Sequence, residues 1–537
     1  MGDKKTPNIA YFCMEYGLEN NFKQYAGGLG ILAGDYIKGA KDYGFPVVGI
    51  GLMWKQGYTD QMIDENGKAY DSYHNRNYDF LIDTDIEVVV KIRNRDVYAK
   101  VWKVDCFNNS DLFLLDTDNK KNDEKWITGQ LYGWFEEERV AQEMLLGIGG
   151  VRALRALNLD IDIYHFNEGH AVFAGFEIMR EHMEEGKTFE EAWQLAREKA
   201  VFTTHTPVVQ GNESHLIDRL SYMGAGNGLK EEQMIQIGDN PFNMTVAALR
   251  MCKKANAVAK LHCETANKMW SDIDGRCEII AITNAIHLPT WVDDNIINSV
   301  ENKSNLLKAH RKNKKELIEF IENKNGVRLE ESILTVGFSR RAAGYKRSNF
   351  IFSDIDVIEK LFNEKKLQIV FSGKSHPLDD VGKATVENLV AMSLKYPKNV
   401  VFLENYDMEI GVVLTRGSDV WLNNPRRPKE ASGTSGMKAA INGVLNFSIL
   451  DGWWPEACEH GINGWQFGDG FESDDENILD AHDLKSLYSV LLNEVIPTYY
   501  KNKEKWIMMM QNSIRSCKDE FSILRMLDEY FEKLYKA

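Results

Sequence analysis

The chain has 537 residues, 44% hydrophobic and 11% aromatic, and a formal net charge of −16. That is material for two or more large domains. The acidic balance argues against nucleic acid as the main partner, since phosphate backbones demand a basic face, and no apolar run is long enough to span a membrane.

In chain order, the start Met1-Gly2-Asp3-Lys4-Lys5-Thr6 leads straight into a strand, without a secretory apolar region, and only weakly echoes a myristoylation pattern. Strands are predicted at Ile9–Phe12, Val47–Met53, Ile163–Phe166, Val201–Thr204 and Ile279–Ile282. A helical stretch runs from Leu131 to Leu157, interrupted at Gly147 and Gly149-Gly150. The polar stretch Asn302–Arg328 has helical periodicity over Leu306–Ile321. The second half repeats the strand pattern at Ile333–Phe338, Leu367–Ser372, Val400–Leu403, Val420–Leu422 and Val444–Leu450, and Ala481–Ala537 reads as helices. This alternation predicts an α/β protein with two halves and a cleft between them. The expected division is 1–325, 326–480 and 481–537, with the last segment packing back across the domains. Cys13, Cys106, Cys252, Cys263, Cys277, Cys458 and Cys517 are odd in number, scattered and free of any C-x-x-C pair. Free thiols in a reducing cytoplasm are expected, with neither disulfides nor a zinc site.

Several constellations end strands or open helices. Tyr25-Ala26-Gly27-Gly28-Leu29-Gly30 starts a helix whose N-terminus can hold a phosphate; a plain strand–helix turn has the same residues. His165-Phe166-Asn167-Glu168-Gly169-His170 and Thr204-His205-Thr206-Pro207 each close a strand. No H-E-x-x-H or G-x-S-x-G motif occurs. Asn284 and Trp291 follow one strand, Glu404-Asn405-Tyr406 another; the two aromatics could flank a flat ring or belong to the core. Arg340, Arg341, Lys346 and Arg347 follow the strand ending at Phe338, as an anion site or a solvated basic loop. Glu430-Ala431-Ser432-Gly433-Thr434-Ser435-Gly436-Met437-Lys438 leads into a helix expected to begin at Met437. It is no phosphate loop: Met437 separates Gly436 from Lys438, Ala439 follows the lysine, and Ala431 stands where that motif has glycine. Lys438 could be a phosphate ligand or an amine holding an aldehyde cofactor. Trp453-Trp454 reads equally as a sugar-stacking surface or as core.

Taken together and in this order, from about residue 9 to about residue 470, these segments resemble the α-glucan phosphorylases that act on glycogen, starch and maltodextrin. The resemblance implies a GT-B type glycosyltransferase fold, with two Rossmann-like domains facing a central cleft. It implies pyridoxal 5′-phosphate carried covalently on Lys438, with Arg340, Tyr406, Trp291 and Thr434 around it. It implies reversible phosphorolysis of terminal α-1,4-glucosyl units by inorganic phosphate to α-glucose 1-phosphate, with retention and proton transfer assisted by the cofactor's phosphate. Arg341 and Lys346 would bind substrate phosphate, and His205 and Glu430 complete the catalytic set. Gly28, Leu29, Asn284, Ala431, Ser432 and Gly433 match substrate positions. No metal is implied; the assembly could be a homo-oligomer such as a dimer.

The departures point to the compact bacterial and archaeal branch. Ser435-Gly436 replaces Gly-Asn of the long animal members, Ala285 replaces Gly, and Arg340 replaces Lys. Their N-terminal regulatory segment is absent, so control by phosphorylation or a nucleotide there is not expected. The alternative is a nucleotide-sugar-dependent α-glucan synthase on the same architecture, which lacks a cofactor lysine in an Ala-Ser-Gly-Thr context. A silent glucan-binding protein and an aminotransferase-type enzyme are further rivals. The first is opposed by the filled polar positions; the second would not need the basic cluster.

Overall fold

The computed structural model describes residues 6–133 and 136–536; the weak lipidation echo at Met1-Gly2 lies outside them. The protein is mixed α/β, and its two large sheets are built mainly from parallel strands. Among the described residues no helix is long and apolar enough to cross a membrane. The seven cysteines are all free.

The chain divides into two compact units: Met1–Thr59 with Tyr73–Thr283 and Met526–Ala537, and Asp60–Ser72 with Asn284–Arg525. The boundary expected near 325 thus falls inside the second unit. The helix Lys303–Asn325, capped by the Asn302 side chain, carries Lys314 and His310 to the buried Asp419 at 2.6 Å and 3.0 Å. Asp419 also accepts the Thr335 amide at 2.8 Å. A long, mostly polar helix is therefore tied by a buried charge cluster to the start of a core strand.

The first unit's sheet has nine strands, in the order 278–281, 254–257, 200–204, 163–167, 9–12, 47–52, 112–116, 95–104, 82–92. The first seven are parallel; Arg95–Val104 pairs antiparallel to the seventh, and Ile82–Ile92 antiparallel to Arg95–Val104. Chain order reverses between the strands Ile9–Phe12 and Ile163–Asn167, so their carboxyl ends form a switch point. Ile82–Ile92, Arg95–Val104, Leu112–Asp116 and Lys254–Ala257 were not expected. The first two alternate polar and apolar residues, with a bulge at Asp83/Glu87. Lys-Ala-Asn-Ala has no apolar run at all and is a strand because its neighbours cover it.

The second unit's sheet has six parallel strands, in the order 400–403, 368–372, 335–339, 420–423, 445–449, 464–467. This is a doubly wound sheet, with its reversal between Thr335–Ser339 and Val420–Asn423. Its core holds Val336, Ile369, Leu422 and Phe447, and the unexpected sixth strand adds Trp465 and Phe467. A hairpin, Asp60–Ile63 with Ala69–Ser72, belongs to this unit: Gln61 bonds Ser375, and the Ile63 amide bonds Glu404 at 2.9 Å.

The helical stretch expected from Leu131 begins at Glu137 and is broken by a π turn over Leu145–Gly149. From Met526 the chain belongs to the first unit. Tyr535 Oη lies 2.7 Å from His165 Nδ1 and 2.5 Å from Tyr36 Oη, all buried.

Candidate functional site

Ser339 ends the strand at the second unit's switch point, and the next residue is Arg340. Its guanidinium is 8% exposed, with Nη1 3.7 Å from Glu430 Oε2. Nε and Nη2 have no hydrogen-bond partner among the described residues. Lys346, on the short 3₁₀ turn Gly344–Lys346, forms a buried ion pair with the same Glu430 oxygen. Burial acts to raise the Glu430 pKa, but Lys346 and Arg340 outweigh it and hold the carboxyl below its usual range. Arg341 is exposed and adds least of the three cations to that effect. Arg347 belongs to a different task. Its backbone is left-handed, and its side chain bonds the Asn424 and Pro425 carbonyls, Asp480 and Asp483. The basic run thus splits into two buried cations at Glu430, one at the surface and one structural clamp.

Glu430 precedes an irregular turn into the helix Thr434–Ile441. The helix begins three residues before the expected Met437, with Gly433 at its N-cap at φ 86°. Thr434 therefore lies in the first turn and Lys438 in the second. Lys438 is 4% exposed, and its Nζ lies 3.2 Å from the centroid of the fully buried Trp291 ring. Asn442 locks this pair: its Nδ2 donates to the carbonyls of Trp291 and Lys438 at 3.1 Å and 2.9 Å. Tyr406 Oη and Trp291 Cζ3 converge on Gly411, where a methyl group would come within 2.6 Å and 3.6 Å of them. Burial pushes the Tyr406 phenol up to about 12, so it stays protonated. Ser432 Oγ and Asn284 Oδ1 are buried without partners among the described residues. Lys438, Trp291, Tyr406, Arg340 and Glu430 are thus brought together in one unit from four separate stretches of sequence.

In the first unit, Gly27-Gly28 does open a helix, Gly28–Tyr43, and a methyl group on Gly28 would meet open space. The turn expected to hold an anion is not bare, however. The buried Glu15 carboxylate accepts the Ala26 and Gly27 amides at 2.6 Å and 3.1 Å and the Tyr132 hydroxyl at 2.9 Å. Sequence reasoning passed over Glu15 because two of these partners are backbone amides and the third, Tyr132, lies 117 residues away, which leaves no local side-chain signature. Leu29 is half-buried beside it. His205 Nε2 lies 2.6 Å from Asn167 Oδ1, and its amide bonds Glu168 at 3.0 Å. Burial, then the nearby His262, lowers the His205 pKa to about 3, so the ring is neutral. Asn167 Nδ2 donates to Cys13 Sγ at 3.3 Å, which leaves Oδ1 to accept from His205 Nε2–H. Glu143, His170 and Glu213 lie with ligand atoms within 4.8 Å of one another, a spacing that could also hold a metal. Here Arg139 supplies the positive charge, with Nε 3.3 Å from Glu213, and His215 bonds Glu143 at 2.9 Å.

Trp453 and Trp454 are fully buried, so core, not a stacking surface, is their place. Asp451, just before them, accepts the Glu430 amide at 2.9 Å. Burial and the nearby Glu430 push its pKa up to about 7. Its partners are the backbone amides of Glu430 and Gly452, so little beyond its place after the strand Leu445–Ile449 marks it in the sequence.

The carbohydrate phosphorylase family model matches residues 294–470. That span holds the whole Arg340–Lys346 turn, Glu430 and Lys438. A maltodextrin phosphorylase of Thermococcus litoralis is 39% identical over 98% of this chain and 70% of its own length. A glycogen phosphorylase of Aquifex aeolicus is 36% identical over 98% of this chain and 86% of its own. An uncharacterized protein of Methanocaldococcus jannaschii, 36% identical, matches over 98% and 99%. Similarity of this extent spans both sheets as well as the site, and the chain belongs to the α-glucan phosphorylases of the carbohydrate phosphorylase family.

Proposed function

We propose that the protein is an α-1,4-glucan phosphorylase, which transfers terminal glucosyl units of maltodextrin or glycogen to inorganic phosphate and yields α-glucose 1-phosphate with retention. The observation that carries this reading is the buried Arg340 guanidinium, with two unpartnered nitrogens among the described residues, linked through Tyr406 and Trp291 to the buried Lys438 amine. A guanidinium there calls for an anion, and an amine against an indole face suits a flat aldehyde ring.

The residues present fit pyridoxal 5′-phosphate: Lys438 would hold it covalently, Trp291 and Tyr406 would flank its ring, and Arg340 and Thr434 would hold its phosphate. When bound, the cofactor supplies a phosphate group that exchanges a proton with the substrate phosphate. The remaining work falls to the chain. Lys346 and Arg341 bind the substrate phosphate and offset its charge. Glu430, held ionised, accepts a glucosyl hydroxyl, and Asn284 and the turn Ala431-Ser432-Gly433 orient the same sugar. Within the first unit taken by itself, neutral His205 would offer a sugar a polar contact without adding charge, and Gly28 and Leu29 would offer a helix N-terminus to an anion. Hydroxyl contacts of this kind gain strength as the sugar ring flattens toward an oxocarbenium-like state.

Two doubly wound α/β units are what a GT-B fold needs, and we propose that class, a cytoplasmic location and a homodimer. The cofactor lysine disfavours the nucleotide-sugar synthase alternative. The purified protein, incubated with maltodextrin and phosphate, is expected to release glucose 1-phosphate. Cofactor-loaded protein that releases none, but transfers glucose from a nucleotide sugar, would replace this reading with the synthase one.

A further inference from the structure

The turn 430–433, which supplies Glu430, has no ladder or helix of its own, yet Glu430 must meet Lys346 and Arg340. Its register comes from the segment that leaves the parallel strand Leu445–Ile449. Asp451 Oδ2 accepts the Glu430 amide at 2.9 Å, and Oδ1 accepts the Gly452 amide at 2.8 Å. The Trp453 amide donates to the Ser432 carbonyl at 2.9 Å. Gly452, at φ 59°, lets the two segments touch: a methyl group there would lie 2.2 Å from the Ser432 carbonyl oxygen. Asn446 Nδ2 donates to the Gly436 carbonyl at 2.9 Å. The turn is thus gripped at Glu430, Ser432 and Gly436 by a rigid neighbour. Asp451 is fully buried, so its two accepted amides have no water to replace it.

We propose that Asp451 is a positioning residue for phosphorolysis: its carboxylate fixes the Glu430 backbone and thereby the meeting of Glu430 with Lys346 and Arg340. The proposal rests on the function proposed above. Both oxygens are needed as acceptors, so the ionised form positions best. Glu430 faces Asp451 and resists its ionisation, Arg427 favours it, and Lys346 and Arg340 lie beyond Glu430. The group titrates near pH 7, within the working range of an enzyme.

Asp451→Ala and Asp451→Asn, prepared as cofactor-loaded protein, test the idea. For Asp451→Ala, kcat is expected to fall about tenfold or more, because an aligned Glu430 matters most in the transition state. Asparagine keeps the shape but turns a donor toward one amide. Its rate relative to the unaltered protein is expected to be lowest at pH 8 and to approach one as the pH falls below about 7. In crystal structures of either variant Glu430 is expected to leave Lys346, which reads the positioning whatever reaction the protein catalyses. Glucose 1-phosphate release by the unaltered protein decides the function separately. A Glu430 that stays on Lys346 in both variants, with kcat within twofold and only the thermal midpoint lowered, would make Asp451 a mere turn-former and overturn the proposal.

Discussion

A guanidinium stays charged at any working pH, so Arg340 cannot escape burial by losing a proton. Leaving two of its nitrogens without partners is costly unless an anion comes to them. Lys438 lies with its amine against the face of Trp291, a position that suits a covalent link to a flat aldehyde. Lys438→Ala should therefore purify without cofactor absorbance and without detectable phosphorolysis; a variant that keeps full activity would refute the assignment. Lys438, Glu430, Trp291 and Tyr406 could be singled out in the sequence because their chemistry sits in their side chains and their order along the chain matches a known family; their roles remain the proposal made above. Glu15 and Asp451 could not be, since each acts on backbone amides 11 to 21 residues away. Arg347 was misleading for a related reason. Its acidic partners, Asp480 and Asp483, lie 133 and 136 residues further on, and nothing local shows that its charge is already taken.

The helix Thr434–Ile441 has only eight residues, too few to be stable by itself, so packing sets its position. Gly436 is the point of closest packing: a methyl group there would lie 2.7 Å from Trp453 Nε1 and 2.8 Å from Asn446 Oδ1. Gly436→Ala is expected to push the helix outward, cost about 1–3 kcal/mol of stability, and lower cofactor affinity with it. Denaturant unfolding and cofactor titration measure the two effects, and an unchanged pair would show that the helix is free to shift. Among the elements, ten of the thirteen parallel strands were readable, because burial on both faces makes them continuous apolar runs; Leu112–Asp116, Lys254–Ala257 and Gly464–Phe467 were not. Ile82–Ile92 and Arg95–Val104 stayed hidden because each is partly exposed and interrupted by charge. The start of the Lys438 helix was misjudged because Thr434, Ser435 and Gly436 are weak helix formers, held in place by tertiary contacts.

At the scale of the whole chain, buried titratable groups set the pH range of stability. His165, His170 and His205 have pKa values lowered to about 3 by burial, against about 6.5 when unfolded. The unfolded chain therefore binds more protons below pH 6.5, and these groups make stability fall as pH drops toward 3. Glu143 and Asp451 are raised by burial to about 8 and 7. The unfolded chain binds fewer protons there, so stability falls as pH rises from about 4.5 through those values. Each group contributes up to about 1.4 kcal/mol per pH unit within its window. Maximal stability is expected on the acidic side of neutrality, at about pH 5–6.5; urea midpoints that climb steadily from pH 6 to 8 would contradict this.

The path of the chain through its two units bears on how the protein is made. The first unit is left at Thr283 and taken up again only at Met526, after the whole stretch Asn284–Arg525. Tyr530 and Tyr535, which close the polar network around His165 and Tyr36, are thus translated only after the whole of the second unit. On the ribosome the second unit has all of its sequence available first, while the first unit, begun before it, waits for the stretch from Met526 onward with His165 unpaired to Tyr535. Of these two units, the one begun before the other is completed after it, and a nascent chain stalled shortly before Met526 holds an unfinished core in that unit.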